Sequence, residues 1–191
     1  MKVGLYFGSF NPIHHGHLII AAHVLSNSPI DQLWFVVSPQ NPLKPSAGLL
    51  NEYHRLALVQ LAIEGETKMR AVDIEFKLPK PSYTIDTLTY LKEKYPSYQF
   101  SIIMGTDSYQ NLPKWKNYEL ILRDYSLLLY QRPGFQVSEE KLQASVQILK
   151  APLLEISATQ IRNNIREGKT IRYLVPDAVK EEIEKNGYYK S

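Results

Sequence analysis

The 191-residue chain is 44% hydrophobic and 21% charged, proportions that predict a soluble globular protein with one substantial core. We therefore expect a single domain over residues 1–191. The apolar runs are too short to span a bilayer, no signal-peptide pattern follows Lys2, and no cluster of five lysines or arginines accompanies the net charge of +3. These features predict a cytoplasmic protein with neither membrane nor nucleic-acid partners. The absence of cysteine excludes disulfides, thiol nucleophiles and cysteine-ligated zinc.

Predicted strands and helices alternate from the first residues onward. Strand-like runs at 2–7 and 32–38 flank a helix-length segment at 15–27, and together they predict a βαβ unit. Further helices are predicted at about 51–64, 84–95 and 177–186, and further strands at about 70–76, 99–105, 125–131 and 152–157. This alternation predicts an α/β fold, namely a Rossmann-like, doubly wound, mostly parallel sheet with helices on both faces.

Four informative segments follow predicted strands. They read GSFNPIHHGH, SPQNPLK, GTDS and ISATQIR, and they begin at Gly8, Ser38, Gly105 and Ile156. Ligands of a doubly wound sheet bind outside the carboxyl ends of its strands, so we expect the four segments to converge on one cleft. The second segment belongs to a stretch at 38–51 that carries three prolines and a glycine, which predicts a mobile loop.

The first of these segments opens a helix with three histidines around a glycine. A helix that begins near His15 presents unpaired N–H groups and the positive end of its dipole, which together form an anion site. His14 and His17 are about one helical turn apart and can face the same ligand, whereas His15 points elsewhere. Gly8 and Gly16 let the backbone approach that ligand closely.

Three interpretations of the histidine pair stay open on these residues alone. A zinc site lacks a His-Glu-x-x-His pattern and cysteine ligands, and neither His23 nor His54 has an evident ligand spacing. Histidines that only satisfy hydrogen bonds in a turn would not require three such residues. Phosphate binding uses the histidines, the glycines and the helix start together, and it is the interpretation we favour.

These residues carry a resemblance to a known superfamily. The segments GSFNPIHHGH and ISATQIR resemble the paired signature of nucleotidyltransferases with a His-x-Gly-His motif and a Ser-[Ser/Ala]-Thr-x-x-Arg motif. Within that superfamily the chain is most similar to the nicotinate-nucleotide adenylyltransferases, over about residues 2–188. The segments PLK, SYTIDTL, GTDSYQNLPKW, RPG and YLVPDAV add to the similarity in this order. Phe7, Asn11 and Leu43 depart from the family pattern, which concerns the shape of the first loop and a histidine contact at position 43.

The resemblance implies transfer of an adenylyl group from ATP to nicotinate mononucleotide, with release of pyrophosphate. The attacking phosphate is already ionised, so the site has to supply alignment and positive charge rather than a general base. By this resemblance the catalytic residues are His14, His17, Lys44 and Arg162. The implied ATP-binding residues are Gly8, Ser9, Phe10, Gly16, Gly105, Thr106, Asp107, Ser157 and Thr159. The implied mononucleotide-binding residues are Tyr83, Thr84, Asp86, Trp115 and Arg132.

The resemblance also implies Mg²⁺ as the cofactor that accompanies ATP. This ion would be held mainly by phosphate oxygens and water, so we expect no metal ligand from the protein. The sequence is compatible with a homo-oligomer and does not fix the oligomeric state.

Three of the implied residues have simpler interpretations that stay open. Lys44 would close over the triphosphate, but it can also be an exposed loop lysine. Asp107 would bind a ribose hydroxyl of adenosine, or it can be a helix N-cap. Trp115 would stack on the pyridine ring, or it can be a core residue.

Two predicted helix starts carry the same ambiguity. Backbone amides and Thr84 would receive the nicotinate carboxylate, but Ser82 or Thr84 can simply cap the helix. The segment supplies no acidic residue before Asp86, which favours nicotinate over nicotinamide mononucleotide. At the other start, Ser157 fits a capping box whether or not it faces phosphate. Arg166 is interpreted as a solvated surface residue.

Other functions remain as alternatives. Phosphopantetheine adenylyltransferases share the two signatures, but they are usually shorter and lack the SYTIDTL and Trp115 segments. Cytidylyltransferases carry a different motif in place of ISATQIR. A non-catalytic nucleotide-binding module would keep the cleft and lose its phosphate ligands, all of which are present here.

Overall fold

The computed structural model describes residues 1–40, 48–139 and 142–190. Within these ranges one sheet has six parallel strands in the order β3-β2-β1-β4-β5-β6. The strands are β1 (Lys2–Gly8), β2 (Gln32–Val37), β3 (Met69–Val72), β4 (Gln99–Gly105), β5 (Ser126–Tyr130) and β6 (Val146–Leu149). The helices are α1 (His15–Asn27), α2 (Glu52–Ala62), α3 (Thr84–Lys94), α4 (Thr106–Gln110), α5 (Tyr118–Asp124), α6 (Ala158–Arg166) and α7 (Asp177–Asn186). Two 3₁₀ turns lie at Ile74–Lys77 and Leu112–Lys114.

The sheet changes winding direction between its two central strands. From β1 the chain proceeds outward through β2 and β3, and from β4 it proceeds outward on the other side through β5 and β6. In a doubly wound sheet the connections leave opposite faces at this point, which opens a crevice beyond the carboxyl ends of the two strands. Here β1 ends at Gly8 and β4 ends at Gly105.

Apolar side chains alternate between the two faces of the sheet because successive strand residues point in opposite directions. Tyr6, Leu33 and Ile103 lie in a core that helices α1, α2, α6 and α7 cover. Their chain neighbours, such as Leu5 and Trp34, lie in a second core that α3 and α5 cover. The predicted Rossmann-like, parallel fold with helices on both faces is confirmed.

Two strand predictions need correction. The strand predicted at 152–157 is wrong: β6 lies earlier, at Val146–Leu149, while Leu153 is 59% exposed and Pro152 has no N–H to donate to a sheet. The strand predicted at 70–76 ends at Val72, and the chain then forms the 3₁₀ turn, which places Glu75 inside the protein. The helices predicted at 15–27 and 177–186 are confirmed at both ends.

Two sequence expectations concern residues outside these elements. Of the loop predicted at 38–51, residues 41–47, with Lys44, lie outside the described part of the chain. Among the described residues, no helix has the length and apolar content needed to cross a membrane.

Candidate active site

Two adjoining cavities occupy the crevice at the ends of β1 and β4. The larger, of about 690 Å³, is lined by Trp115 and is called the tryptophan cavity. The smaller, of about 270 Å³, is lined by His14 and His17 and is called the histidine cavity. Gly8 and Asp107 line both, so the two cavities meet at the ends of the central strands.

The histidine pair lies at the start of α1. His14 is the extended N-cap residue, its carbonyl accepts from the N–H of His17 at 2.9 Å, and the two imidazole rings stack with centroids 3.7 Å apart at 26°. His15 is not part of this pair, and its N–H donates to the Leu174 carbonyl at 2.9 Å. The first turn of α1 contains no acidic residue, so the positive end of the helix dipole is not offset there.

Gly16 is required for this ring arrangement. A β-carbon at position 16 would lie 2.9 Å from two atoms of the His14 ring, closer than such contacts occur. The ring therefore lies against the helix at a place that only glycine leaves open. His14 is 4% exposed, and its Nδ1 is buried with no hydrogen-bond partner among the described residues.

Burial makes His14 an uncharged donor near neutral pH. Loss of hydration lowers the pKa of His14 to about 4, and the positive charges of Arg132 and His15 act in the same direction. A neutral imidazole carries one N–H that can donate to a phosphate oxygen. An anion beside the ring would reverse the effect and favour its protonation.

A buried arginine that the sequence interpretation missed holds the loop after β1. Arg55 of α2 is fully buried, and its guanidinium donates to four backbone carbonyls. These belong to Leu50 at 2.7 Å, Ser38 at 2.8 Å, Pro39 at 3.1 Å and Ser9. Arg55 thereby joins the segments that follow β1 and β2. Its one sequence signal is an arginine on the same helical face as buried Leu58 and Val59.

The departure at Asn11 has a structural role. Its side-chain amide donates to the Gly48 carbonyl at 3.0 Å, and its side-chain oxygen accepts from the N–H of Leu50 at 3.1 Å. An aspartate could make only the second of these bonds. The backbone carbonyl of Asn11 accepts from Nη1 of Arg162 at 2.8 Å. Phe10, just before it, is buried and has a left-handed backbone with φ of 45°.

In the structure, Arg162 is hydrogen-bonded to this loop at Asn11. Besides Asn11, it contacts the hydroxyl of Thr159 at 3.3 Å, and its Nε is buried without a partner among the described residues. Arg162 is not among the residues that line either cavity, whereas Ser157 and Thr159 line the histidine cavity. The predicted cap at Ser157 is confirmed, since its hydroxyl accepts from the N–H of Gln160 at 3.2 Å.

The loop after β4 brings Asp107 between the cavities. Gly105 is the N-cap residue of α4, so the N-cap interpretation of Asp107 is wrong. A β-carbon at position 105 would collide with the Asp107 carboxylate and lie 2.8 Å from Cγ of Arg132. Thr106 is fully buried and its hydroxyl accepts from the N–H of Arg132 at 3.0 Å. Arg132, expected at the mononucleotide, lines the histidine cavity instead.

The tryptophan cavity reaches the start of α3. Tyr83 is the N-cap residue and makes no side-chain capping bond, so the capping interpretations of Ser82 and Thr84 are wrong. Tyr83 and Thr84 line the cavity. Trp115 is half-buried and packs against the second core while facing the cavity, so it is not a fully buried core residue.

Charged residues near this cavity differ from the expectation. The Asp86 carboxylate accepts from Nζ of Lys116 at 2.9 Å and is not among the lining residues. Lys116 does line the cavity, with its Nζ 5.0 Å from the Tyr83 ring centre, and Lys114 lies beside it. Glu75, which the sequence interpretation missed, also lines it.

Comparisons with known proteins show which family the chain resembles. Residues 5–164 match the family described as cytidylyltransferase-like. Proteins named "Probable nicotinate-nucleotide adenylyltransferase" from Cytophaga hutchinsonii and Flavobacterium johnsoniae are 51% and 50% identical to this chain, with full coverage of both chains in each pair.

Solved structures show the same fold. Nicotinic acid mononucleotide adenylyltransferase from Plasmodium falciparum, complexed with NaAD, superposes with a TM-score of 0.85 at 21% identity, covering 98% of this chain and 97% of that one. The same enzyme complexed with APC gives a TM-score of 0.81. By its identity to full-length relatives, the chain belongs to the nicotinate-nucleotide adenylyltransferase family of cytidylyltransferase-like proteins.

Proposed function

We propose that this protein transfers the adenylyl group of ATP to nicotinate mononucleotide, giving nicotinate adenine dinucleotide and pyrophosphate for NAD biosynthesis. One observation carries the proposal. The stacked histidine pair at the N-terminus of α1 and the half-buried Trp115 line two cavities that share Gly8 and Asp107. A polyphosphate at the histidines and an aromatic nucleotide at the tryptophan would therefore meet at the shared edge.

The chemistry needs alignment and positive charge. An oxygen of the mononucleotide phosphate forms a bond to the α-phosphorus of ATP. The bond between that phosphorus and the oxygen that bridges the α- and β-phosphates breaks. The electron pair leaves with pyrophosphate. His14, His17 and the amides at the start of α1 would donate to the phosphate oxygens as charge builds on them. Arg132, beside His14, would add a positive charge in the same cavity.

The remaining residues would hold the two nucleosides. Asp107, at the edge common to both cavities, would accept from a ribose hydroxyl of adenosine. Trp115 would stack on the pyridine ring, and the amides at the start of α3 would receive its carboxylate. Arg162 would act mainly by fixing the loop at Asn11, and its contact with phosphate stays a prediction. Lys44 is expected to close over the triphosphate and lies outside the described residues.

Mg²⁺ fits this site only as a companion of the ATP phosphates. No group of three or more metal-binding side chains occurs among the described residues. Among the described residues that line the histidine cavity, Asp107 is the only one with a carboxylate. Such a donor set suits an ion that keeps its water and phosphate ligands. Bound there, Mg²⁺ would offset negative charge on the departing pyrophosphate.

Pyrophosphate release tests the proposal. The purified protein is supplied with ATP and Mg²⁺ together with nicotinate mononucleotide, nicotinamide mononucleotide or phosphopantetheine in separate reactions. We expect the highest kcat/KM with nicotinate mononucleotide, with a dinucleotide product identified by its mass. The proposed function is rejected if the folded protein releases pyrophosphate only with phosphopantetheine. It is also rejected if none of the three acceptors leads to pyrophosphate release.

A further inference from the structure

The tryptophan cavity contains a buried carboxyl group that the reaction described above does not use. Glu75 comes from the 3₁₀ turn after β3, is 2% exposed, and lines the cavity together with Tyr83 and Thr84. Its Oε1 accepts from the Thr87 hydroxyl at 3.0 Å. Its Oε2 is buried and has no hydrogen bond of ordinary geometry among the described residues. A buried polar atom without a hydrogen bond of ordinary geometry requires an explanation, and at a cavity wall a ligand can supply the partner.

Glu75 is tied to the helix start at which the ring substituent is expected. The Thr87 hydroxyl that contacts Glu75 lies 3.4 Å from the carbonyl of Tyr83, the N-cap residue of α3. One hydroxyl thus links the Glu75 carboxyl to the first turn of α3. The first turn has no side-chain cap on its amides. Since Glu75, Tyr83 and Thr84 line one cavity, a carboxylate bound by these amides would share that cavity with Glu75.

The groups that face Glu75 are mainly hydroxyls. They come from Ser38 after β2, Ser82 before α3 and Thr87 within α3. Burial raises the pKa of Glu75, and the three hydroxyls act in the opposite direction by stabilising its ionised form. The other charged residues of the cavity are Asp107, Lys114 and Lys116.

Building on the proposed function, we propose that Glu75 is a specificity-determining residue that takes up a proton from solvent when the carboxylate of nicotinate mononucleotide binds. Two ionised carboxylates in one desolvated cavity repel each other, and a single shared proton removes the repulsion. Protonated Glu75 can donate to the substrate carboxylate, as a buried acid kept neutral does. The carboxamide of nicotinamide mononucleotide carries no charge and requires no such proton.

The preference for nicotinate mononucleotide should therefore depend on pH. Above the pKa of Glu75 in the free protein, the Glu75 carboxyl group is ionised. Each further pH unit then raises the free-energy cost of protonating it. The ratio of kcat/KM for nicotinate over nicotinamide mononucleotide should then fall by up to about tenfold per pH unit. An ordinary anion site made of amides alone would show no such fall.

Calorimetric titration tests the proton directly. At about pH 8 the phosphate of either mononucleotide is fully ionised, so the two ligands differ only at the ring substituent. Titrations in two buffers of different ionisation enthalpy give the protons taken up on binding. We expect close to one more proton for nicotinate than for nicotinamide mononucleotide. In Glu75→Gln, which keeps the acceptor for Thr87, the difference and the pH dependence of the ratio should vanish. Glu93→Gln, the same change at an exposed position of α3, should behave as the parent.

The outcomes separate this inference from the proposed function. A parent protein that adenylylates neither mononucleotide refutes the proposed function. A parent that prefers nicotinate mononucleotide, yet takes up equal protons with both ligands, refutes the role of Glu75 alone. The same holds if folded Glu75→Gln keeps the pH dependence of the parent. Should Glu75→Gln not fold, the comparison of the two ligands in the parent still decides.

Discussion

The imidazole rings of His14 and His17 lie face to face, with 3.7 Å between their centroids. Two stacked imidazole rings that were both positively charged would repel each other, and an anion that lies against both rings would offset that repulsion. The start of α1 supplies the backbone amides and the positive dipole end for such an anion. We therefore expect the two rings to contact one anion together.

The first prediction concerns His17. Replacement by alanine should lower kcat by a factor of about 10² or more, because the lost donor acts most strongly as charge develops in the transition state. Steady-state kinetics with saturating ATP measures this loss, and circular dichroism checks the fold. His23→Ala, on the same helix but outside both cavity linings, is the matched control and should keep its turnover. A folded His17→Ala protein with unchanged kcat would contradict the role.

The second prediction concerns pH and His14. The pKa of His14 is about 4 in the folded protein against 6.5 for an ordinary histidine, so the unfolded chain binds more protons between these values. The contribution to stability is complete above about pH 6.5 and is lost as the pH falls towards 4, by at most about 3 kcal/mol. Urea denaturation at several pH values should show this loss, and His14→Gln should lack that part of it. A His14 resonance that titrates near pH 6.5 would count against the prediction.

The third prediction concerns Arg55. Its guanidinium satisfies the carbonyls of Leu50, Ser38, Pro39 and Ser9, all of which lose that partner in Arg55→Met. Leaving buried carbonyls unpaired costs about 1–3 kcal/mol each, so the free energy of unfolding should fall by more than about 3 kcal/mol. Chemical denaturation measures the fall. Arg123→Met removes an exposed ion pair with Asp124 and should cost less than about 1 kcal/mol. Equal losses in the two variants would contradict the assignment.

Local signals explain which parts of the fold could be predicted. The helix at 177–186 carries an acidic residue in its first turn and ends before Gly187, which adopts the left-handed backbone that glycine favours. The helix at 15–27 begins at the histidine segment, where the sequence predicts an anion site. Both depend on neighbours in sequence, and both agree with the structure.

Long-range contacts explain what the sequence interpretation missed. The sequence predicts a strand that includes Glu75, whereas the 3₁₀ turn in the structure brings Glu75 to Thr87 of α3. The sequence predicts Asp86 at the substrate, but in the structure its carboxylate accepts from Nζ of Lys116, 30 residues further along the chain. The segment at 152–157 has the length of a strand, yet the shorter segment at 146–149 pairs with β5. Each of these contacts joins residues that are far apart in the sequence, so a short segment alone does not predict it.

The last prediction concerns Trp115 and the choice of mononucleotide. The parent should prefer nicotinate over nicotinamide mononucleotide by roughly 10- to 150-fold in kcat/KM, because the amide presents an NH₂ donor where a second acceptor is wanted. Trp115→Ala should weaken the binding of both substrates by about 1–3 kcal/mol, which is the contribution of stacking an aromatic ring on a base. Since both pyridine rings present the same face, the ratio between the two substrates should stay the same.

Trp115→Phe is the matched control for this test. It keeps an aromatic face for stacking and should retain most of the affinity. Thermal unfolding of the parent and both variants shows whether packing against the second core has been damaged. Equal kcat/KM for the two mononucleotides in the parent would refute the preference. A Trp115→Ala variant that loses selectivity while it keeps affinity would show that the indole recognises the ring substituent, and the start of α3 would then have to be reassigned.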